Sequence, residues 1–508
     1  MTISGVVVAC ILLRCAVARS SQPNIVFVLA DELGWHDIGY HGSRVQTPHL
    51  DKLASEGIKL ENYYVQPMCT PTRSQLMSGR YQIHTGLQHT VINPDQRSCL
   101  PLDEVTIAQK LKEAGYSTHM VGKWHLGHYT KGCLPTKRGF DSFFGFYNCA
   151  VDYYTYEKGK FCKFENETVL RMRGTDLWRN DEEHVAPYYQ GHYQTHVLAK
   201  EAEDVIRKHN PSKPLFLYLA FGAVHVPLEV PKVYEDMYAD VKDNSRRILL
   251  AMATCMDDSI ADVTGALKDT GLWDNTIFIF STDNGAATAY GGCSWPLKGG
   301  KTSLFEGGIR AVGFVTSPLL PPDMQGTENM ELMHVSDWFP TLVHVAGGEL
   351  SGTKPLDGYN QWETISLGRP SQRTEILINI DPLIPCEACA NHTKWDHKKF
   401  DVHVHAAIRM GEWKLITGNP HHNYWVTPAE YPNMKNIYLN EPGKMVWLYN
   451  IAADPNEQDD LSDTFPGIVN ILLDRLAEYN ETAVPVQFPD CDTGADPARR
   501  GGSWGPWV

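Results

Sequence analysis

"NIVFVLADELGW", residues 24–35, decides the fold. An apolar run of strand length stops at two adjacent carboxylates, Asp31 and Glu32. Two further stretches repeat the pattern. "PLFLYLAFGAVHVP", residues 214–227, runs to His225, and "NTIFIFSTDNG", residues 275–285, runs to Asp283 and Asn284. Between them lie the amphipathic patterns "TPHLDKLASEGI", "LDEVTIAQKLKEAGY" and "SRRILLAMATCMDDSIADVTGALKDTG". Near-continuous apolar strands alternating with helices predict an α/β fold: a large, mostly parallel sheet buried on both faces. In such sheets the working residues gather beyond the carboxyl ends of the strands. Here polar residues fall at those ends three times.

The last third changes character. "VHAAIRMGEWKLITG" and "KMVWLYNI" alternate like strands of a half-exposed antiparallel sheet, and "NILLDRLAEYN" reads as an amphipathic helix. The expected organisation is a catalytic domain over 19–374 and a smaller C-terminal α+β subdomain over 375–508, with the change near Thr374.

Bulk properties narrow the function. The chain has 508 residues, 43% of them hydrophobic and 21% charged, ordinary for a globular protein. Its formal charge of −15 disfavours a nucleic-acid or anionic-membrane binder. A few cations in a cleft still suffice for a small anionic substrate. "GVVVACILL" followed by "AVA" at Ala16–Ala18 reads as a secretory signal over 1–18, although no Lys or Arg precedes the apolar run. No later stretch is apolar and long enough to span a bilayer. Sequons at Asn166, Asn391 and Asn480 support export, to the lysosome or the cell exterior. Removing Cys10 and Cys15 with the signal leaves ten of 12 cysteines in a compartment that permits disulfides. Cys149 and Cys162 bracket an aromatic-rich loop and could close it.

The strand-end residues Asp31, Glu32, Asp283 and Asn284 offer only oxygen donors, a set suited to Ca²⁺ or Mg²⁺. On its own "TDNG" would read as a turn; beside "ADE" at another strand end, the metal reading is better. Lys123 and His125 in "GKWHLG", His225, and Lys301 after "WPLKGG" would, if they converge, surround an anion next to that metal. Such a set stabilises charge on a transferring phosphoryl or sulfuryl group.

Cys69 opens "CTPTRSQLMSG", residues 69–79, with no partner cysteine nearby. This segment resembles the sulfatase pattern C-x-P-x-R followed by Leu and Ser-Gly. "GYSTHMVGKWHLG" is similar to the family's second signature, and "VLADELGWHDIGYHGS" and "FSTDNG" to its metal segments. The likeness runs from Asn24 to the closing "GSWGPWV". Through "SGRYQIHTGLQH" and "WPLKGGKTSLFEGGIR" it is nearest the arylsulfatase B, I and J branch.

The resemblance implies an alkaline-phosphatase-like fold and hydrolysis of sulfate esters. It implies that a formylglycine-generating enzyme converts Cys69 to Cα-formylglycine before folding completes. A hydrated aldehyde carries two hydroxyls on one carbon: one attacks sulfur, and deprotonation of the other expels sulfate. Carried over by residue, Asp31, Glu32, Asp283, Asn284 and the modified residue 69 would bind one Ca²⁺. Arg73 and Lys123 would stabilise the hydrate, and His125 would take the proton that triggers sulfate release. His225 and Lys301 would hold the sulfate and help protonate the leaving oxygen. The substrate implied is a sulfated carbohydrate, with N-acetylgalactosamine sulfate of glycosaminoglycans first, or an aryl sulfate.

Two departures stand out. Glu32 replaces the family's usual second Asp and moves that carboxylate by about 1.5 Å. By the branch's bridges, Cys99 would pair with Cys133 and Cys149 with Cys162. Cys491 would lose its partner to Asp95. His421 and His422 fall where a further family cysteine would be. Cys386 and Cys389 would pair locally or stay reduced, and Cys293 has no counterpart. Two other readings compete: a phosphomonoesterase or phosphodiesterase of the same fold with Thr70 or Thr72 as nucleophile, and a weak or inactive homologue that binds sulfated carbohydrate.

Overall fold

The computed structural model describes residues 22–163, 169–386, 395, 398–431, 433–439 and 441–508. The signal at 1–18, the sequons at Asn166 and Asn391, and Cys389 lie outside them.

The strand Asn24–Ala30 is central in a ten-stranded sheet. It runs parallel to Leu215–Ala220 on one side and to Thr276–Thr282 on the other. Leu215–Ala220 pairs in parallel with Ser117–Lys123, which pairs in parallel with Ser142–Phe146. Beyond Thr276–Thr282 lies an antiparallel strand, Gly313–Thr316. Every residue of Asn24–Ala30, Leu215–Ala220 and Thr276–Thr282 is buried. Side chains alternate along a strand, so both faces must be covered. Val26, Val28, Leu217, Leu219, Phe278 and Phe280 pack under the helices Gln194–Lys208 and Asn244–Asp269. Ile25, Phe27, Phe216, Tyr218, Ile277 and Ile279 point the other way, toward the helices Ile107–Glu113 and Trp338–Val345. This is the doubly covered, mostly parallel α/β sheet of the alkaline-phosphatase-like fold.

A second sheet of four antiparallel strands follows: Glu375–Asp381, His405–Met410, Trp413–Thr417 and Val446–Asn450. The helix Pro466–Glu481 lays Val469, Leu472, Leu473 and Leu476 on it. A buried lysine ties this sheet to the short helix Glu306–Ile309, which precedes Gly313–Thr316. Lys414 reaches Glu306 at 3.0 Å and Glu457 at 2.8 Å.

The strand Ser117–Lys123 has no apolar run to announce it. Its polar side chains are satisfied in place: the Thr118 hydroxyl donates to the Gly139 carbonyl, and the His119 ring pairs with Ser142. It matters because Lys123 is its last residue, which brings a fourth strand end to the same edge.

The disulfides correct one expectation. Cys99 bonds to Cys133, but Cys162 bonds to Cys491 rather than to Cys149. Cys162 sits on the hairpin Glu157–Lys163/Val169–Thr175, its side chain on the buried face among Met172, Ala495 and Trp504. That face meets the C-terminal segment, not the loop that carries Cys149. Cys491, expected to lack a partner, is thereby bridged, and Asp95 lies beside the bond. Cys386 is disulfide-bonded, and Cys69, Cys149, Cys255 and Cys293 are free thiols.

Candidate active site

Four strand ends and one helix N-terminus build the site. Asp31 follows Ala30 directly and is pinned by its N–H to the Ala223 carbonyl at 2.8 Å. Asp283 follows Thr282, and its N–H donates to the Ala30 carbonyl at 3.1 Å. Cys69 is the first residue of the helix Cys69–Ser78, in which every residue is buried. The first turn of a helix leaves backbone N–H groups without partners and carries partial positive charge. Met68 supplies no side-chain cap for them.

The structure brings the expected residues together. Cys69 Sγ lies 3.7 Å from Asp31 Oδ1 and 3.4 Å from Asn284 Oδ1. The Asn284 amide nitrogen donates to the Gly285 carbonyl at 2.8 Å, which turns its oxygen toward Cys69. Asp31, Glu32, Cys69 and His225 offer ligand atoms all within 4.8 Å of one another. Asp283 stands one step behind: Oδ2 accepts from Arg73 at 3.0 and 2.8 Å, and Oδ1 accepts the Glu32 N–H at 3.2 Å. Arg73 also donates to the Lys123 carbonyl at 2.9 Å, and Lys123 Nζ donates to Asp31. Glu32, at φ 66°, reaches the other way, with Oε1 2.8 Å from His225 Nε2 and against Lys301 Nζ. Lys301 Nζ is 3.2 Å from His225 Nε2. His125, at φ 55°, is buried; its Nε2 lies 3.2 Å from the Ile92 carbonyl, and its Nδ1 has no hydrogen-bond partner.

The electrostatics favour a cation. Burial raises the pKa of a carboxyl group, and a neighbouring carboxylate raises it further. Both act on Asp283, which is pushed up to about 6 by burial and by Asp31. Burial opposes ionisation of Asp31 too, but Lys123, His225 and Arg73 hold it well below the usual range. Burial lowers Lys301 to about 8, and it lowers His125 as well. Two buried carboxylates, an amide oxygen and Glu32 form an all-oxygen donor set that fits a hard divalent ion. Burial pushes the Cys69 thiol well above its ordinary value, with Asp283 adding to the effect, so as encoded it is a poor nucleophile.

Thr70 and Thr72 are excluded as nucleophiles by their hydroxyl partners. Thr70 donates to the His125 carbonyl at 3.1 Å and Thr72 to the Asp283 carbonyl at 2.6 Å. Both act as struts. The sequence reading missed Tyr153, whose hydroxyl spans the Gly222 and His225 carbonyls at 2.6 and 2.9 Å and fixes the His225 turn. It read Cys149 as half of a disulfide, whereas the thiol is free and lies beside the His125 ring. The aromatic-rich loop was visible, but not which way it folds.

A strand-end acidic cluster facing a helix N-terminus, ringed by lysine, arginine and histidine, defines an α/β hydrolase of anionic esters. The sulfatase family model matches residues 23–348, and the chain belongs to that family. It is 50% identical to arylsulfatase J of Mus musculus over 96% of this chain and 81% of that one. It is 28% identical to human N-acetylgalactosamine-6-sulfatase, over 92% and 87% of the two chains. Among solved structures it is similar to Ps i-CgsB, with a TM-score of 0.75 and 27% identity over 94% of this chain and 98% of the other. The protein is an arylsulfatase J-like hydrolase of sulfate esters. Among the described residues no helix is long and apolar enough to cross a membrane.

Proposed function

We propose that the protein removes sulfate from sulfated N-acetylgalactosamine residues of glycosaminoglycans, using formylglycine made from Cys69 beside a calcium ion. The observation that carries this reading is the place of Cys69. It is the first residue of a buried helix, with its sulfur 3.7 and 3.4 Å from Asp31 and Asn284 oxygens. Calcium, held by Asp31, Glu32, Asp283 and Asn284 with residue 69, would supply Lewis-acid charge to an oxygen at that position. Formylglycine would supply a hydrated carbon with two hydroxyls in place of an inert thiol.

The chain's own residues do the rest. Arg73 and Lys123 hold Asp31 in its ionised form, offset part of the burial penalty on Asp283 and place positive charge behind residue 69. His225 and Lys301 bind the sulfate oxygens. Lys301, brought to about 8 by burial, gives a proton to the leaving oxygen more readily than an ordinary lysine. His125 keeps a free Nδ1, which suits it to take a proton. Because residues 69–78 are all buried, a formylglycine-generating enzyme must act before this helix docks.

A cavity of about 310 Å³ beside the site supports a carbohydrate substrate. Met68 and Pro71, which flank Cys69, wall it together with Thr302, next to Lys301. His89, Asp381 and His421 line it as well, and His89 Nδ1 pairs with Asp381 at 2.8 Å. Apolar walls with a few fixed polar groups suit a sugar ring. The name of the human relative, an N-acetylgalactosamine-6-sulfatase, points to the same sugar. We place the catalytic domain at 19–374 and the subdomain that supplies Asp381 and His421 at 375–508. The signal, the disulfides and the exposed sequon at Asn480 fit the secretory pathway, to lysosome or cell exterior.

Peptide mass over residues 66–80 tests the nucleophile, since formylglycine is lighter than cysteine. An unmodified thiol in protein made with the converting enzyme present would overturn the reading. Defined sulfated oligosaccharides, assayed across acidic pH, test the substrate: turnover of aryl sulfates alone would sink it.

A further inference from the structure

Four free thiols lie among the described residues, and one of them differs from the rest. Cys255 and Cys293 are buried, and burial pushes each thiol up to about 12. Cys69 is buried and raised as well. Cys149 is partly exposed. Its surroundings are fixed by backbone geometry. The Trp124 and His125 N–H groups donate to the Phe146 and Tyr147 carbonyls, both at 3.0 Å. The two chains therefore run side by side past the ends of their strands. Asp176 then clamps the next turn, accepting from the Tyr147 and Asn148 N–H groups at 3.0 Å and from the Asn148 side chain at 2.8 Å. This path brings the Cys149 thiol beside the His125 ring. His125 is 1% exposed, and its Nδ1 has no hydrogen-bond partner. Burial works to raise the thiol's value, but His125 and Lys158 overcome it and draw it well below the ordinary one.

We propose that Cys149 is a covalent modification site at the rim of the active site: soft electrophiles react with its sulfur, and capping it shuts down the adjacent His125. The pairing of Cys162 with Cys491 is what leaves this thiol free. With iodoacetamide, the sulfur attacks the methylene carbon, a C–S bond forms, the C–I bond breaks and iodide leaves. The thiol proton stays on His125. With a low-molecular-weight disulfide, the same sulfur displaces one half. The S–S bond breaks, a mixed disulfide forms on Cys149, and the departing thiolate takes the proton from His125. A cap of either kind sits where His125 must accept a proton, so the inference rests on the proposed role of that residue.

Native, metal-loaded protein is treated with limiting iodoacetamide, and the labelled peptides are mapped by mass spectrometry while turnover of an aryl sulfate is followed. Cys149 is carbamidomethylated at least tenfold faster than Cys255 or Cys293, and turnover falls in step. Inorganic sulfate slows both, and C149S keeps its turnover through the same treatment. Labelling of Cys149 no faster than of the buried thiols, its recovery in a disulfide, or full turnover after complete labelling would each overturn the proposal. The labelling map of the unmutated chain decides the first two points even if C149S does not fold. The map is also independent of catalysis: a protein labelled at Cys149 but inert toward every sulfate ester would sink the proposed function and leave the reactive thiol standing.

Discussion

The inner wall of the active site and its outer rim are built on opposite terms. On the inner wall, Asp31, Arg73, Lys123 and Asp283 are at most 1% exposed, and each charge has an opposite charge in contact. On the rim, His225 and Lys301 have side chains 9% and 18% exposed, and His125, as buried as the wall, keeps an unpaired nitrogen. A buried charge that loses its partner costs several kcal/mol, so the wall is bound up with folding. A rim group with spare capacity is free to exchange protons and ligands. Variants on the two sides should therefore fail in different ways.

The largest effect belongs to neither side but to the residue between them. C69A removes the sulfur that lies beside both Asp31 and Asn284, and turnover should fall by about 10⁴ or more, as for loss of a covalent nucleophile. Its thermal unfolding should stay close to that of the parent, because a small buried side chain is replaced by a smaller one. Next comes the wall. R73A leaves Asp283 buried without its guanidinium and the Lys123 carbonyl without a donor, at a cost of about 3–5 kcal/mol. Thermal unfolding reads this directly. A variant that loses turnover at unchanged melting temperature would show the wall to be purely catalytic. On the rim, K301M keeps the stem and removes the charge. Turnover should fall by about 10²–10³ with little change in melting temperature.

The carboxylates of the wall were legible from strand pattern, and His125, His225 and Lys301 of the rim were singled out without their convergence being readable, for a physical reason. Asp31, Asp283 and Asn284 each follow an apolar strand directly, and a buried parallel sheet leaves such residues one place to go, its carboxyl edge. Lys123 ends a strand whose polar residues hide it, while His225 and Lys301 reach the site by loop paths that pattern does not encode. The Cys162–Cys491 bridge joins residues 329 apart in sequence, and which face of the hairpin carries Cys162 is decided by packing on Trp504 and Ala495. Local spacing favoured Cys149, and tertiary packing overrode it.

The C-terminal sheet sharpens the contrast through pH. His405 is 1% exposed, and burial lowers it from 6.5 to about 4. The folded state keeps it neutral while the unfolded chain takes up a proton below 6.5. Its contribution is thus intact above 6.5 and is lost as pH falls from there toward 4, by roughly 3 kcal/mol at most. H405N, whose amide can still donate to the Asn419 carbonyl, should lose less melting temperature between pH 7 and pH 5 than the parent. An equal loss would place the acid sensitivity elsewhere.

Glu32 is where wall and rim meet, and there the expected effect is smallest. Its N–H is held by Asp283, while its carboxylate reaches His225 and Lys301. E32D shortens that reach by about 1.5 Å. Calcium accepts variable oxygen geometry, so protein stripped with a chelator and titrated with Ca²⁺ in a calorimeter should bind within about tenfold of the parent. The backbone at φ 66° is also easier for Asp than for Glu, since short polar side chains tolerate the left-handed region. If E32D instead abolished calcium binding, the extra methylene would be a required part of the metal site. Glu32 would then belong to the wall, and its contacts with His225 and Lys301 would be secondary.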